Sequence, residues 1–183
     1  AVVAADMVGF SRLVENDEIS ILSRQKEYFT EIIKPQIEKF DGKIIKTTGD
    51  GFLATLSSSL DAVESTTNIQ KKINLREKTQ SNDKRIWFRI GINVGEVVLD
   101  DGDIFGNSVN IASRLESIAD AGDVCITKDI FQNIKNLQSF DIRHLGEQQL
   151  KNISQKVDVY KIKINDEEYN QSKENELLTE ANQ

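Results

Sequence analysis

Two strand-like runs, Lys43–Thr48 and Phe52–Leu56, flank Gly49-Asp50-Gly51, the composition of a tight hairpin turn. A tight turn joins antiparallel neighbours, so this stretch commits the chain to at least one antiparallel pair. Ahead of it lie a buried strand at residues 1–6, ending at Asp6, and a helical pattern from about Asp17 to Phe40. In that pattern Leu22, Phe29, Ile33, Ile37 and Phe40 recur at helical spacing, Asp17 is an N-cap candidate, and Pro35 removes a backbone donor. A kink or split is expected near Pro35, with Asp41-Gly42 ending the helix. Behind the hairpin a second helix is expected over about 59–78, with Leu60, Val63, Ile69 and Ile73 facing inward. Strands at 86–93 and 96–99, a turn at Asp100-Asp101-Gly102 and a third helix over about 108–118 follow. Short elements close the chain: strand 124–127, helix 128–135, and late strands near 140–144 and 157–164. The order β-α-β-β-α-β gives an α+β expectation: a ferredoxin-like core, its mainly antiparallel sheet carrying helices on one face, plus a C-terminal α/β extension.

The 183 residues are one domain's worth of chain. A single cysteine, Cys125, excludes an intramolecular disulfide and a thiolate metal cluster, and a single histidine, His144, excludes a His-pair zinc site. No apolar run is long enough to cross a bilayer and no basic-then-apolar leader opens the sequence, so a cytoplasmic location, or the cytosolic face of a membrane-anchored longer protein, is expected. The only methionine is Met7, and Ala1 opens directly into an apolar run, which reads as a domain taken from a longer protein. Six acids against one base fall within 165–183, so most of the net charge of −7 sits in that tail. The expected division is a domain at 1–164 and an acidic polar tail at 165–183, disordered or a linker. The nearly neutral remainder has no basic nucleic-acid footprint.

Two groups of residues carry possible chemistry. Asp6 at the end of the first strand and Asp50 at the hairpin tip converge if their strands are neighbours, and paired carboxylates suit a hard divalent ion that shares substrate phosphates. Met7-Val8-Gly9-Phe10-Ser11 beside Asp6 is a short turn before a helix, whose N–H groups suit an anion. The second group is Asp103–Arg114, where Asn110 and Arg114 are four apart on one helix face. Arginine there can hold a phosphate and offset charge developing in a transition state. Taken singly, each has a plainer reading that is the stronger one: Asp50 as a turn residue, Asp6 as a cap, Arg114 solvated or paired with Glu116 or Asp120. The Asp100–Asp103 turn lacks the spacing of a calcium loop, Cys125 reads as core, and His144 reads as structural near a strand end.

Together the motifs Ala5–Ser11, Lys46–Gly51, Arg89–Gly95, Asp103–Arg114, Leu145-Gly146-Glu147 and Leu150-Lys151-Asn152 resemble the class III nucleotidyl cyclase catalytic domain, bacterial adenylate cyclases above all. They stand in the family's order across residues 1 to about 162 and outweigh the plainer readings. The resemblance implies that Asp6 and Asp50, helped by the Met7 carbonyl, hold two Mg²⁺ or Mn²⁺ ions per site. It implies that Lys46 and Asp103 read adenine, that Asn110 orients the ribose, and that Arg114 stabilises the transition state. Phe10 and Ser11 would line the phosphates, and Lys151 would contact the triphosphate.

The implied reaction is attack of the ATP 3′-hydroxyl on its own α-phosphorus, giving 3′,5′-cyclic AMP and pyrophosphate. Family members place the metal acids on one chain and the base-reading and transition-state residues on its partner. Since this chain has both sets, a head-to-tail homodimer with shared sites is implied, within a longer chain carrying a regulatory domain. The sequence departs from some relatives at Glu96, where they have a phosphate-binding arginine, and the segment from Gly95 to Asp103 is shorter than in animal enzymes. The alternatives are a catalytically inactive, nucleotide-binding regulatory domain and a guanylate cyclase. A diguanylate cyclase is excluded because its hairpin signature is replaced by Gly49-Asp50-Gly51-Phe52.

Overall fold

Alternation along the first strand, β1 (Val2–Met7), sets the layering. In the computed structural model, which describes residues 1–137 and 139–164, Val3, Ala5 and Met7 enter the main core, whereas Val2 and Ala4 enter a second apolar cluster on the other face. The expected acidic tail lies outside the described residues. The chain continues through α1 (Phe10–Tyr28), a π turn (Phe29–Ile33), α2 (Lys34–Lys39), β2 (Lys43–Thr48), β3 (Gly51–Thr55), α3 (Ser59–Glu77) and β4 (Phe88–Asn93). Next come β5 (Val98–Asp100), β6 (Asp103–Phe105), α4 (Asn107–Ile118), β7 (Val124–Thr127), α5 (Lys128–Ile134), β8 (Ile142–Gln148) and β9 (Val157–Ile162).

Seven strands form one sheet in the order β2-β3-β1-β4-β7-β9-β8, and β5 and β6 form a separate hairpin. The first four strands have the ferredoxin-like order expected of a βαββαβ core. Every pairing is antiparallel except β4 with β7, where the C-terminal extension joins the core. Ile69 and Ile73 of α3 and Ile90 and Ile92 of β4 are fully buried together in the main core. Each such side chain contributes about 1.5–3 kcal/mol of burial free energy.

The expectation of helices on one face is corrected. Helices α1, α2, α3 and α5 share the main core, but α4 lies on the opposite face, where Val109 and Ala112 meet Val2, Ala4 and Leu53. Gly91 is the reason α4 fits there. A Cβ at Gly91 would come within 2.3 Å of the Ala112 carbonyl oxygen and 2.4 Å of the Glu116 nitrogen. Gly91→Ala is therefore expected to push α4 off the sheet and cost about 1–3 kcal/mol, read as a lowered midpoint in urea. Gly51 is corrected too: it belongs to β3 rather than the turn, and a Cβ there would sit 1.8 Å from the Ala5 carbonyl oxygen.

The first helix begins at Phe10, earlier than expected. Asp17 leaves helical geometry (φ −158°, ψ 75°) and its Oδ1 accepts from the Ser20 nitrogen at 3.2 Å, so it is a cap inside a kinked helix. The break expected from Pro35 takes the form of the π turn just before α2, with Pro35 in the first turn of α2, where its missing N–H is tolerated. Leu22 is exposed, and Ile21 is the buried residue instead. Helices α1 and α3 are joined by a buried polar cluster on Glu77. Arg24 Nη1 donates to both carboxylate oxygens at 2.9 and 2.7 Å, the Tyr28 hydroxyl donates to Oε1, and the Ile86 nitrogen donates to Oε2 at 2.9 Å.

Candidate active site

Because β1 alternates, Asp6 emerges on the α4 side as the strand ends, opposite Gly51 on one neighbour and Arg89 on the other. The β2–β3 turn is pinned beside it, since the Met7 nitrogen donates to the Asp50 carbonyl at 3.0 Å. A cleft of about 460 Å³ opens between this sheet end and α4, lined by Asp6, Lys46, Asp50, Asn110, Ser113 and Glu116 among others. The convergence of Asp6 and Asp50 read from the strand pattern is thus present. Burial and then the charge of Asp6 raise the Asp50 carboxyl above its ordinary proton affinity.

Lys46 Nζ donates to Asp103 Oδ2 at 2.8 Å, and Asp103 Oδ1 accepts from the Ile104 nitrogen at 2.7 Å. The Lys46 bond is the main cause that holds the Asp103 carboxyl below its usual range. Asn110 lines the cleft. Arg114, one turn further along α4, is half-buried, does not line it, and has no side-chain partner among the described residues. The pairing considered for it with Glu116 or Asp120 is absent, as Asp120 is held by Lys161 at 2.8 Å. Met7 is buried behind Asp6, and Phe10 and Ser11 form the first turn of α1. Lys151 is exposed in the turn after β8 and does not line this cleft.

Two residues of the site were not read from the sequence. Arg89 reaches across from β4 and donates from Nε and Nη2 to the Asp6 carboxylate at 3.2–3.3 Å. Glu116 of α4 is buried, lies 3.4 Å from Arg89 Nη2, and its Oε1 has no hydrogen-bond partner. Burial first, then the neighbouring Asp6, push the Glu116 carboxyl up to about 9, against the opposing pull of the Arg89 guanidinium. Two carboxylates, Asp6 and Glu116, therefore share one guanidinium. Among the described residues no group of three His, Cys, Asp or Glu side chains is arranged as a self-sufficient metal cage. The oxygen-only pair Asp6 and Asp50, in which the charge of Asp6 raises the cost of charge on Asp50, instead fits a hard cation that completes its shell with water and phosphate.

The remaining candidates are structural. Cys125 is buried and its thiol is pushed up to about 12, mainly by burial. His144 lies within β8, its Nε2 2.6 Å from Asp158 Oδ1. No helix of the described residues is long and apolar enough to cross a membrane.

Residues 1–164 match the family described as adenylate and guanylate cyclase catalytic domain. The chain is 34% identical over 160 residues to putative adenylate cyclase 3 of Rhizobium meliloti, covering 87% of this chain and 27% of that protein. It is 35% identical over 120 residues to an adenylate cyclase of Streptomyces coelicolor, covering 65% of this chain and 30% of that one. The chain thus spans less than a third of these curated relatives. Among solved structures, an adenylate/guanylate cyclase/hydrolase from Silicibacter pomeroyi superposes with a TM-score of 0.82 at 42% identity, covering 91% of this chain and 96% of the other. The adenylyl cyclase CyaB from P. aeruginosa shares the fold, with a TM-score of 0.76 at 24% identity over 92% and 95% of the two chains.

Proposed function

The chain belongs to the adenylate and guanylate cyclase catalytic-domain family, and from that premise we propose that residues 1–164 are an adenylate cyclase domain working as a head-to-tail homodimer with shared sites. The observation that carries the choice of base is the Lys46–Asp103 pair, of which Lys46 lines the acidic cleft. In the free protein these two satisfy each other. With adenine present, the Lys46 ammonium donates to the ring-nitrogen acceptor and the Asp103 carboxylate accepts from the exocyclic amino group. Guanine presents the reverse pattern and leaves both groups facing a like partner, a discrimination of the order of 10⁴ where such sites are fully desolvated.

Asp6 and Asp50, with the Met7 carbonyl, would hold Mg²⁺ or Mn²⁺. When bound, such ions supply positive charge to the polyphosphate and acidify a hydroxyl. The chain's own residues do the rest. Asn110 orients the ribose so that its 3′-oxygen lies in line with the α-phosphorus and the departing pyrophosphate. Arg114 offsets charge growing on the α-phosphoryl oxygens. The first turn of α1, at Phe10 and Ser11, offers N–H groups to phosphate, and Lys151 adds a cation for the triphosphate. Two features support a site shared between chains. Arg114 lies outside its own chain's cleft, and the β5–β6 hairpin beside the cleft exposes Val98, Leu99 and Phe105. The named activities of the Rhizobium and Streptomyces relatives agree with this reading.

The test is incubation of the concentrated domain with Mn²⁺-ATP and, separately, Mn²⁺-GTP. Cyclic AMP without cyclic GMP is expected, and Asp103→Ala is expected to lower kcat/KM for ATP and narrow the preference at least tenfold. Cyclic GMP as the main product would make the protein a guanylate cyclase. No product from a demonstrated dimer would make it a nucleotide-binding regulatory domain.

A further inference from the structure

Arg89 stands directly opposite Asp6 in the β1–β4 ladder, and its fork is fully engaged. Nε and Nη2 reach the Asp6 carboxylate, while Nη1 donates to the Ser117 carbonyl at the end of α4 at 3.2 Å. This geometry depends on Gly91, two residues along β4. By letting the α4 backbone rest on the strand, Gly91 brings Glu116 and Ser117 over the Arg89 guanidinium. Asp6 and Arg89 are each about a quarter exposed, and Asp6 opens onto the cleft. The pair is therefore not a sealed core ion pair. It is a carboxylate at a strand end whose plane is set from behind while its front remains available.

We propose that Arg89 is the positioning residue of the cation site, holding Asp6 in one orientation and tying it to the end of α4, with Glu116 packed against the same guanidinium. The inference rests on the reading of Asp6 and Asp50 as the cation-holding pair. A carboxylate already fixed loses little freedom when it takes a divalent ion, and partners of this kind are worth about 10–100-fold in metal affinity. Lysine cannot replace the planar fork, because a point charge sets neither the plane of Asp6 nor the link to Ser117. The proposal also separates two effects of opposite sign. A guanidinium that only competed with the cation for Asp6 would weaken binding, and its removal would tighten it.

The experiment follows Mn²⁺ binding to the nucleotide-free protein through loss of the free-ion electron spin resonance signal. Melting curves in the absence of metal verify that each variant is folded. Asp6→Asn tests the underlying site and is expected to abolish high-affinity binding. Equal binding by wild type and Asp6→Asn would overturn the cation-pair reading itself, before any question about Arg89 arises. Given that loss, Arg89→Lys is expected to raise the Kd for Mn²⁺ by 10–100-fold, and the Mn²⁺ concentration for half-maximal turnover is expected to rise in parallel. If Arg89→Lys does not fold, Arg89→Gln carries the same expectation. Wild-type affinity in a folded Arg89 variant, or tighter binding in either, overturns the positioning role.

Discussion

Mixing Asp50→Ala with Arg114→Ala is expected to restore about a quarter of wild-type activity, although each variant alone loses on the order of 10³-fold. Random exchange puts half of the subunits' pairings into heterodimers. Each heterodimer has one site lacking both groups and one site with an intact Asp6–Asp50 pair from one chain and an intact Arg114 from the other. The size of the separate losses follows from chemistry. Asp50 lies against Asp6 with its charge already disfavoured by burial, so its removal halves the carboxylate pair that holds cations. Arg114 is a guanidinium without a side-chain partner in its own chain among the described residues, available for charge that appears only in the transition state. Assay of cyclic AMP after mixing, with subunit exchange followed by differently labelled chains, decides the matter. Exchange without recovery would mean that each chain completes its own site, and the shared-site reading would be wrong.

The second large effect is on stability. Glu77→Ala is expected to destabilise the domain by about 3–5 kcal/mol, because it strands a partly buried positive charge. Glu77 is wholly inaccessible and takes hydrogen bonds from Arg24, Tyr28 and the Ile86 nitrogen. The Arg24 Nε is already without a partner, so the guanidinium depends on this carboxylate and on the Lys84 carbonyl at 3.0 Å. For a domain of this size the loss corresponds to a fall in Tm of roughly 10 °C. Glu77→Gln keeps one acceptor oxygen, enough for the Tyr28 hydroxyl or the Ile86 nitrogen but not both, and a smaller drop is expected. A loss below about 1 kcal/mol for Glu77→Ala would show that the cluster relaxes to water.

Where the chain carries strong periodic signals, its structure could be read directly. Val124–Thr127 is a strand with the expected bounds, and α3 ends one residue from the expected position. The features missed were those with weak local signals. The first two turns of α1 start from Gly9 in the left-handed region (φ 61°), with no side-chain cap to announce them. Strand β6 has three residues, too few to show alternation. The turn before it was legible because Asp101 and Gly102 both take positive φ, as a two-residue hairpin requires. In the site, Asp6 and Asp50 could be placed together from a strand end and a turn. Arg89 and Glu116 could not, because their meeting depends on the β1–β4 register and on the close approach at Gly91. Glu116 offered only its position two residues after Arg114, which suggested a different partner.

The position of β2 at the rim of the seven-stranded sheet gives Lys46 a duty apart from any base it reads. An outermost strand leaves a row of unpaired backbone groups, and lysines along it discourage other chains from adding on. Lys43 and Lys46 are the charged residues of β2 and both are exposed. Neutralising Lys46 to probe recognition therefore also blunts a guard against self-association. Aggregation by such a variant would report on the rim of the sheet, so its solubility has to be measured before any loss of turnover is assigned to the base.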